Sequence, residues 1–179
     1  HIIFLAQNNG NIISCREINR ISSGPGDIYV GCHLYRVIAP SIGGYYLAGE
    51  IEYTAPSSRR GIVLHMDASG ALTSFFVTNE NTCVNDIINT GGNDFLLALE
   101  VTGDYSHIPL IPNSTHRAVL MSISSFGSIN WQRFYYPSNN VPVANNFPYS
   151  IAKTNGGNYL IGGIMDNPTG VNHNYVFKT

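Results

Sequence analysis

Charge is what this chain has least of. Only 11% of its residues are Asp, Glu, Lys or Arg, about half the share usual in a soluble domain, and the net charge at pH 7 is -2. Nucleic-acid phosphates are held by clustered Lys and Arg. The densest basic feature here is the pair Arg59 and Arg60, so nucleic acid is excluded as a partner. Long apolar runs are missing too, and none reaches the ~20 residues of a membrane-crossing helix. The opening stretch HIIFLAQNNG has neither a basic leader nor a small-residue cleavage site; a signal peptide, where one existed, is expected to have been removed. Cysteine is scarce: Cys15, Cys32 and Cys83 are odd in number and share no C-x-x-C spacing, so at least one thiol is unpaired within the chain. They are expected to be small buried hydrophobes, with a Cys15–Cys32 bridge as the main alternative. Sustained helical periodicity with caps is also lacking.

What the chain does have is 44% hydrophobic residues, 18 Gly, 11 Tyr and about 20 Asn, enough apolar matter for a real core beneath a polar, barely ionic surface. It also repeats itself. RGIVLHMDASGALTSFF from Arg60 and RAVLMSISSFGSINWQRF from Arg117 are both an alternating strand, a turn ending in Gly and a second strand. HIIFLAQNNGNIISCREI from His1 is a third copy, with Gly10 where the others have Gly70 and Gly127. Gly at these places supplies the positive φ of a tight hairpin. Between the hairpins recur GGYYLAGE, NDFLLALE and GGNYLIGG, each preceded by another alternating segment. One unit is therefore four strands, with a period of roughly 56 to 60 residues, near that of four-stranded propeller blades. The units fall at about 1–60, 61–117 and 118–173 of a single domain, with the start of a further one at 174–179.

A four-stranded sheet cannot bury its two faces alone, so neighbouring copies must cover it. The small-residue segments YYLAG, FLLAL and YLIGG are expected on the innermost strand of each blade. The strands with Thr73, Ser74, Gln132 and Arg133 are expected on the outer part. GGYYLAGE followed by RGIVLHMDASGAL resembles the blade of secreted bacterial β-propellers, with Tyr45, Ala48, Gly49, Asp67, Gly70 and Trp131 at the recurring places. Asp67 gives way to Gln7 and Ser124 in the other copies. The resemblance implies an extracellular or cell-surface scaffold without a catalytic set carried by the repeat.

No chemistry-bearing motif competes with that expectation. The six His form no H-E-x-x-H or H-x-H pair, and His65 is expected to pack. MDASG has too few acidic oxygens for a Ca²⁺ loop. Glu50 and Glu100 occupy equivalent places; they are expected to be solvated strand-end residues, the alternative being a carboxylate pair at one channel mouth. The sequence thus predicts no catalytic residue, no metal and no cofactor. The segment TGDYSHIPLIPNST, Thr102 to Thr115, is an insertion of the kind that carries function. Tyr105, His107, Ile108, Leu110 and Ile111 would present an apolar, aromatic surface, folded over its own blade or clasping a partner. Asn113 opens an N-glycosylation tripeptide. A second long connection runs from Tyr135 to Tyr149.

Closed propellers use about four to eight blades, and three repeats fall short. NYVFKT at 174–179 copies HIIFLA at the start. Ile2, Ile3, Phe4 and Leu5, with Tyr175, Val176 and Phe177, are therefore candidates for strand complementation. The expected partner is a second copy, head to tail in a ring or filament, or further chain of the same polypeptide. The expected function is a non-enzymatic structural or adhesive propeller module, with a carbohydrate-binding propeller as the alternative and part of a larger propeller enzyme as the third.

Overall fold

Strict apolar alternation in the sequence becomes thirteen antiparallel strands in the structure, a computed structural model describing residues 2–6, 12–17, 29–54, 57–102, 116–135, 145–166 and 172–179. No helix occurs among the described residues. Strands β1 (Ile2–Ala6) and β2 (Ile12–Glu17) form a hairpin. The first sheet is β3 (Tyr29–Ile38), β4 (Tyr45–Thr54), β5 (Ser57–Met66) and β6 (Leu72–Glu80), in that order. The second is β7 (Thr82–Gly91), β8 (Asp94–Thr102), β9 (His116–Ser124) and β10 (Ile129–Tyr135), also in chain order. The third is β11 (Asn145–Lys153), β12 (Tyr159–Asp166) and β13 (Asn172–Lys178).

Two expectations about strand placement change. The segments YYLAG, FLLAL and YLIGG are not innermost edges: β4, β8 and β12 each pair on both sides. Both of their edges are paired, and in β8 both faces are covered as well, whereas β12 is mostly half-buried. Each sheet opens one strand earlier, at β3, β7 and β11, and so straddles the sequence units. The connection between Tyr135 and Tyr149 accordingly leads from the second sheet into the third, and its residues 136–144 lie outside the described residues. The polar strands do lie at an edge, with β6 and β10 ending their sheets.

The core follows from the period of two. On β8, Phe95, Leu97, Leu99 and Val101 join Tyr46, Ala48 and Val63 of the first sheet in one cluster. Leu96 and Ala98 point the other way and meet Ile151 and Ile161 of the third sheet. Every residue of β8 from Phe95 to Val101 is buried, the mark of a sheet covered on both faces. Each Phe, Leu and Val among them contributes about 1.5–3 kcal/mol. A further cluster, Leu47, Ile51, Ile62 and Leu64, fills the other face of the first sheet.

The three sheets also share an irregularity. Register shifts by one residue between Leu34 and Arg36, between Val84 and Asp86, and between Pro148 and Ser150. These are β-bulges at one position, opposite Gly49/Ala48, Leu99/Ala98 and Gly163/Gly162. At Gly49 a Cβ would lie 1.9 Å from the carbonyl oxygen of His33, so the bulged strand approaches as only glycine allows. The hairpin turns match their sequence: Gly70 and Gly127 take φ of +83° and +79°, and Asp67 Oδ1 accepts from the backbone N–H of Ser69 and Ala71, each at 2.9 Å. Gly10 lies outside the described residues.

Cys32 and Cys83 are free, buried thiols, as expected of small hydrophobes. The alternative Cys15–Cys32 bridge is not formed, since Cys32 is unpaired and fully enclosed by core.

Candidate functional site

Glu50 stands opposite His33 on β3 and Gly61 on β5, and Glu100 stands opposite Cys83 on β7 and Ala118 on β9. The two glutamates thus hold one register position in consecutive sheets. They are not solvated strand ends: their exposures are 5% and 7%. The correction has a physical cause, because a guanidinium sits between them. Arg59 on β5 donates from Nη1 to Glu50 Oε2 at 3.3 Å and from Nη2 to Glu100 Oε1 at 2.5 Å. It also donates to Thr102 Oγ1 at 3.1 Å. Sequence reasoning saw that the two glutamates are equivalent but took them for solvated strand ends and missed the arginine that joins them; the signal was Arg59 standing where the second hairpin has His116.

Further groups complete this end of the two sheets. The Tyr35 hydroxyl donates to Glu50 Oε1 at 2.7 Å, and His33 Nδ1 lies 3.4 Å from the same oxygen. His116 Nδ1 pairs with Glu100 Oε1 and lies 3.1 Å from Thr102 Oγ1. Burial alone would raise the Glu50 pKa; the Tyr35 hydrogen bond, the Arg59 charge and the His33 contact outweigh it and hold the carboxyl below its ordinary value. Burial lowers the Arg59 pKa, but Glu100 and Glu50 outweigh it and keep the guanidinium charged. Burial, then the charges of Glu50 and Glu100, pushes the Cys83 thiol up, and burial takes Cys32 up to about 11. Glu50 is therefore held ionised and Cys83 neutral, the reverse of what a general acid and a thiolate nucleophile need. What this arrangement does well is lock two sheets together through a desolvated ion pair.

A second polar tie was invisible in the sequence. Asp86, 5% exposed, is the single acid in the apolar strand TCVNDIINT. Its Oδ2 accepts from the backbone N–H of Ile151 at 2.8 Å, and its Oδ1 pairs with Arg36 Nε at 3.2 Å. One carboxylate of the second sheet thereby fastens the first and the third.

The remaining candidates divide. Tyr105, His107, Ile108, Leu110, Ile111 and Asn113 lie outside the described residues. Ile2, Ile3, Phe4 and Leu5 pair with Glu17, Arg16, Cys15 and Ser14 within the chain. Tyr175, Val176 and Phe177 pair with Gly163, Gly162 and Ile161. Tyr175 and Phe177 pack into the core against Tyr135 and Ile161; only Val176, 72% exposed, faces outward. His65 packs as expected, its ring stacked on Tyr46 at 4.3 Å. These two rings line a shallow cleft between the first two sheets with Phe76, Ser74, Ser124 and the fully presented Phe126. No protein-family model matches the chain, and no curated protein sequence is similar to it.

Proposed function

We propose that the chain is a β-propeller-type scaffold, working outside the cell as a structural or adhesive module through protein contacts. Three features support the propeller architecture. Consecutive antiparallel sheets stack face on face, strands β7 and β11 lie against the preceding sheet, and the bulge recurs at one register. The observation that carries the contact function is β13. Among the described residues it is the edge of a three-stranded sheet, where the sheets of β3–β6 and β7–β10 have four strands, and it turns Val176 outward beside core-packed Tyr175 and Phe177. An edge of that kind accepts a strand from a second copy or from further chain.

The test is mass under non-denaturing conditions together with electron microscopy. Rings or filaments of several copies are expected, and Val176→Lys, which charges the edge, shifts them toward single chains. A stable lone 19.5 kDa monomer at micromolar concentration overturns the self-assembly form of the proposal. A carbohydrate-binding reading is favoured by one observation, the cleft of Tyr46, His65, Phe76 and Phe126, since sugars stack on aromatic faces. A glycan array separates the two: binding that is lost in Phe126→Ser supports the lectin.

A further inference from the structure

The charged junction is lopsided. Arg59 occupies its inner side, between Glu50 and Glu100, and leaves an outer side where His33, Glu50 and Glu52 converge. Glu50 and Glu52 are two residues apart on β4 and so share a face. His33 sits directly across from Glu50, and Gly31 across from Glu52. The ligand atoms of His33, Glu50 and Glu52 all lie within 4.8 Å of one another. The His33 Nδ1 to Glu50 Oε1 separation is 3.4 Å, close to the roughly 3.3 Å between two ligands on a tetrahedral Zn²⁺ whose bonds are about 2.0–2.2 Å long. Gly31 leaves space over the third ligand: its missing Cβ would lie 3.5 Å from Glu52 Oε2, and any longer side chain would cover that oxygen.

Charge points the same way. Arg59 stands across from Glu52 on β5 but turns its guanidinium to Glu50 and Glu100, so among the described residues Glu52 has no hydrogen bond or ion pair. An internal comparison sharpens this. At the matching register the second sheet has Cys83, Glu100 and Thr102, and the third has Phe147, Ile164 and Asp166. Only the first sheet assembles an imidazole with two carboxylates. It is also where His33 is about half exposed, giving an ion a way in.

We propose that His33, Glu50 and Glu52 bind one divalent transition-metal cation, Zn²⁺ or its Co²⁺ surrogate, with Tyr35 and Arg59 orienting Glu50 behind it. One nitrogen and two oxygens suit such an ion, whereas Ca²⁺ requires about six to eight oxygens. The test is calorimetric titration of Zn²⁺ into chelator-treated full-length chain, with Co²⁺ absorption as an independent readout. Expected is a saturable site of one ion per chain, weakened at least about tenfold in His33→Ala and in Glu52→Gln, with a Co²⁺ d–d band that disappears in His33→Ala. Ca²⁺ in excess does not compete. Both variants change outward-facing side chains, and far-ultraviolet circular dichroism checks that they fold. No saturable binding by the wild-type chain, or isotherms that are the same in the wild type and both variants, overturns the site.

Discussion

Between the first and second sheets, the ends of β4 and β8 bury Glu50 and Glu100 around Arg59. Between the second and third, the matching places hold Ile164 opposite Phe147 and Asn174, and His116 lies against the Phe147 ring at 4.7 Å. The backbone register is the same at both junctions and the chemistry differs. At this end of the second junction apolar side chains of similar volume can replace one another at small cost, and alignment rests on the Asp86 tie further along the strand. A buried ion pair tolerates one arrangement, because a displaced partner leaves a charge without solvent. The first junction is therefore aligned by a guanidinium between two carboxylates, and the second by single polar ties to backbone, from Asp86 to the Ile151 N–H and from Asn85 to the Pro148 carbonyl.

Breaking the charged junction at its centre has the largest expected effect. Arg59→Met leaves two buried carboxylates facing each other and should cost about 3–5 kcal/mol in urea unfolding. Replacing all three charges, with Glu50→Gln and Glu100→Gln added, should return most of that loss and make this junction resemble its neighbour. A triple variant no more stable than Arg59→Met would show that the arginine acts through packing instead. Next in size is the bulge. Gly49→Ala drives a Cβ into the His33 carbonyl and should cost roughly 1–3 kcal/mol, read as a lowered urea midpoint.

Acidity sharpens the comparison further. The folded-state pKa of Glu50 lies below its ordinary value of 4.5, so its ionised form stabilises the fold above the unfolded-state pKa. That contribution fades as pH falls below 4.5 toward the folded-state value. A series of urea midpoints from pH 6 downward (~pH 3 at the low end) should show the decline in the wild type and a weaker one in Glu50→Gln. The smallest effect belongs to the exposed rim: Phe126 is 90% exposed, and Phe126→Ser should change stability by no more than about 0.5 kcal/mol.

How far the sequence foretold this depended on the range of each interaction. The turn from Asp67 to Gly70 was legible because its hydrogen bonds close within four residues. Alternation in RGIVLHM and RAVLMSI gave the faces of β5 and β9. The equivalence of Glu50 and Glu100 was also on the page, but their burial was not, because Arg59 reaches Glu100 across 41 residues and between sheets. Asp86 was hidden for the same reason, its backbone partner lying 65 residues away. Strand order within a sheet escaped too: FLLAL has the composition of a crowded inner edge, and only pairing shows that it is flanked on both sides.

The recurring bulge has a consequence for how the three sheets differ. Tyr35, Asn85 and Tyr149 are the extra residues of three equivalent bulges, and they have gone separate ways. Tyr35 holds Glu50, Asn85 donates to the Pro148 carbonyl at 2.8 Å, and Tyr149 is half exposed. A bulged residue belongs to neither alternating face, so its side chain is free of the core's demands. Each of the three sheets thus contains one position that answers to its neighbours and not to the core. Varying Tyr149 would alter what the third sheet displays, whereas varying Tyr35 or Asn85 would also undo a tie, to Glu50 or to the Pro148 carbonyl.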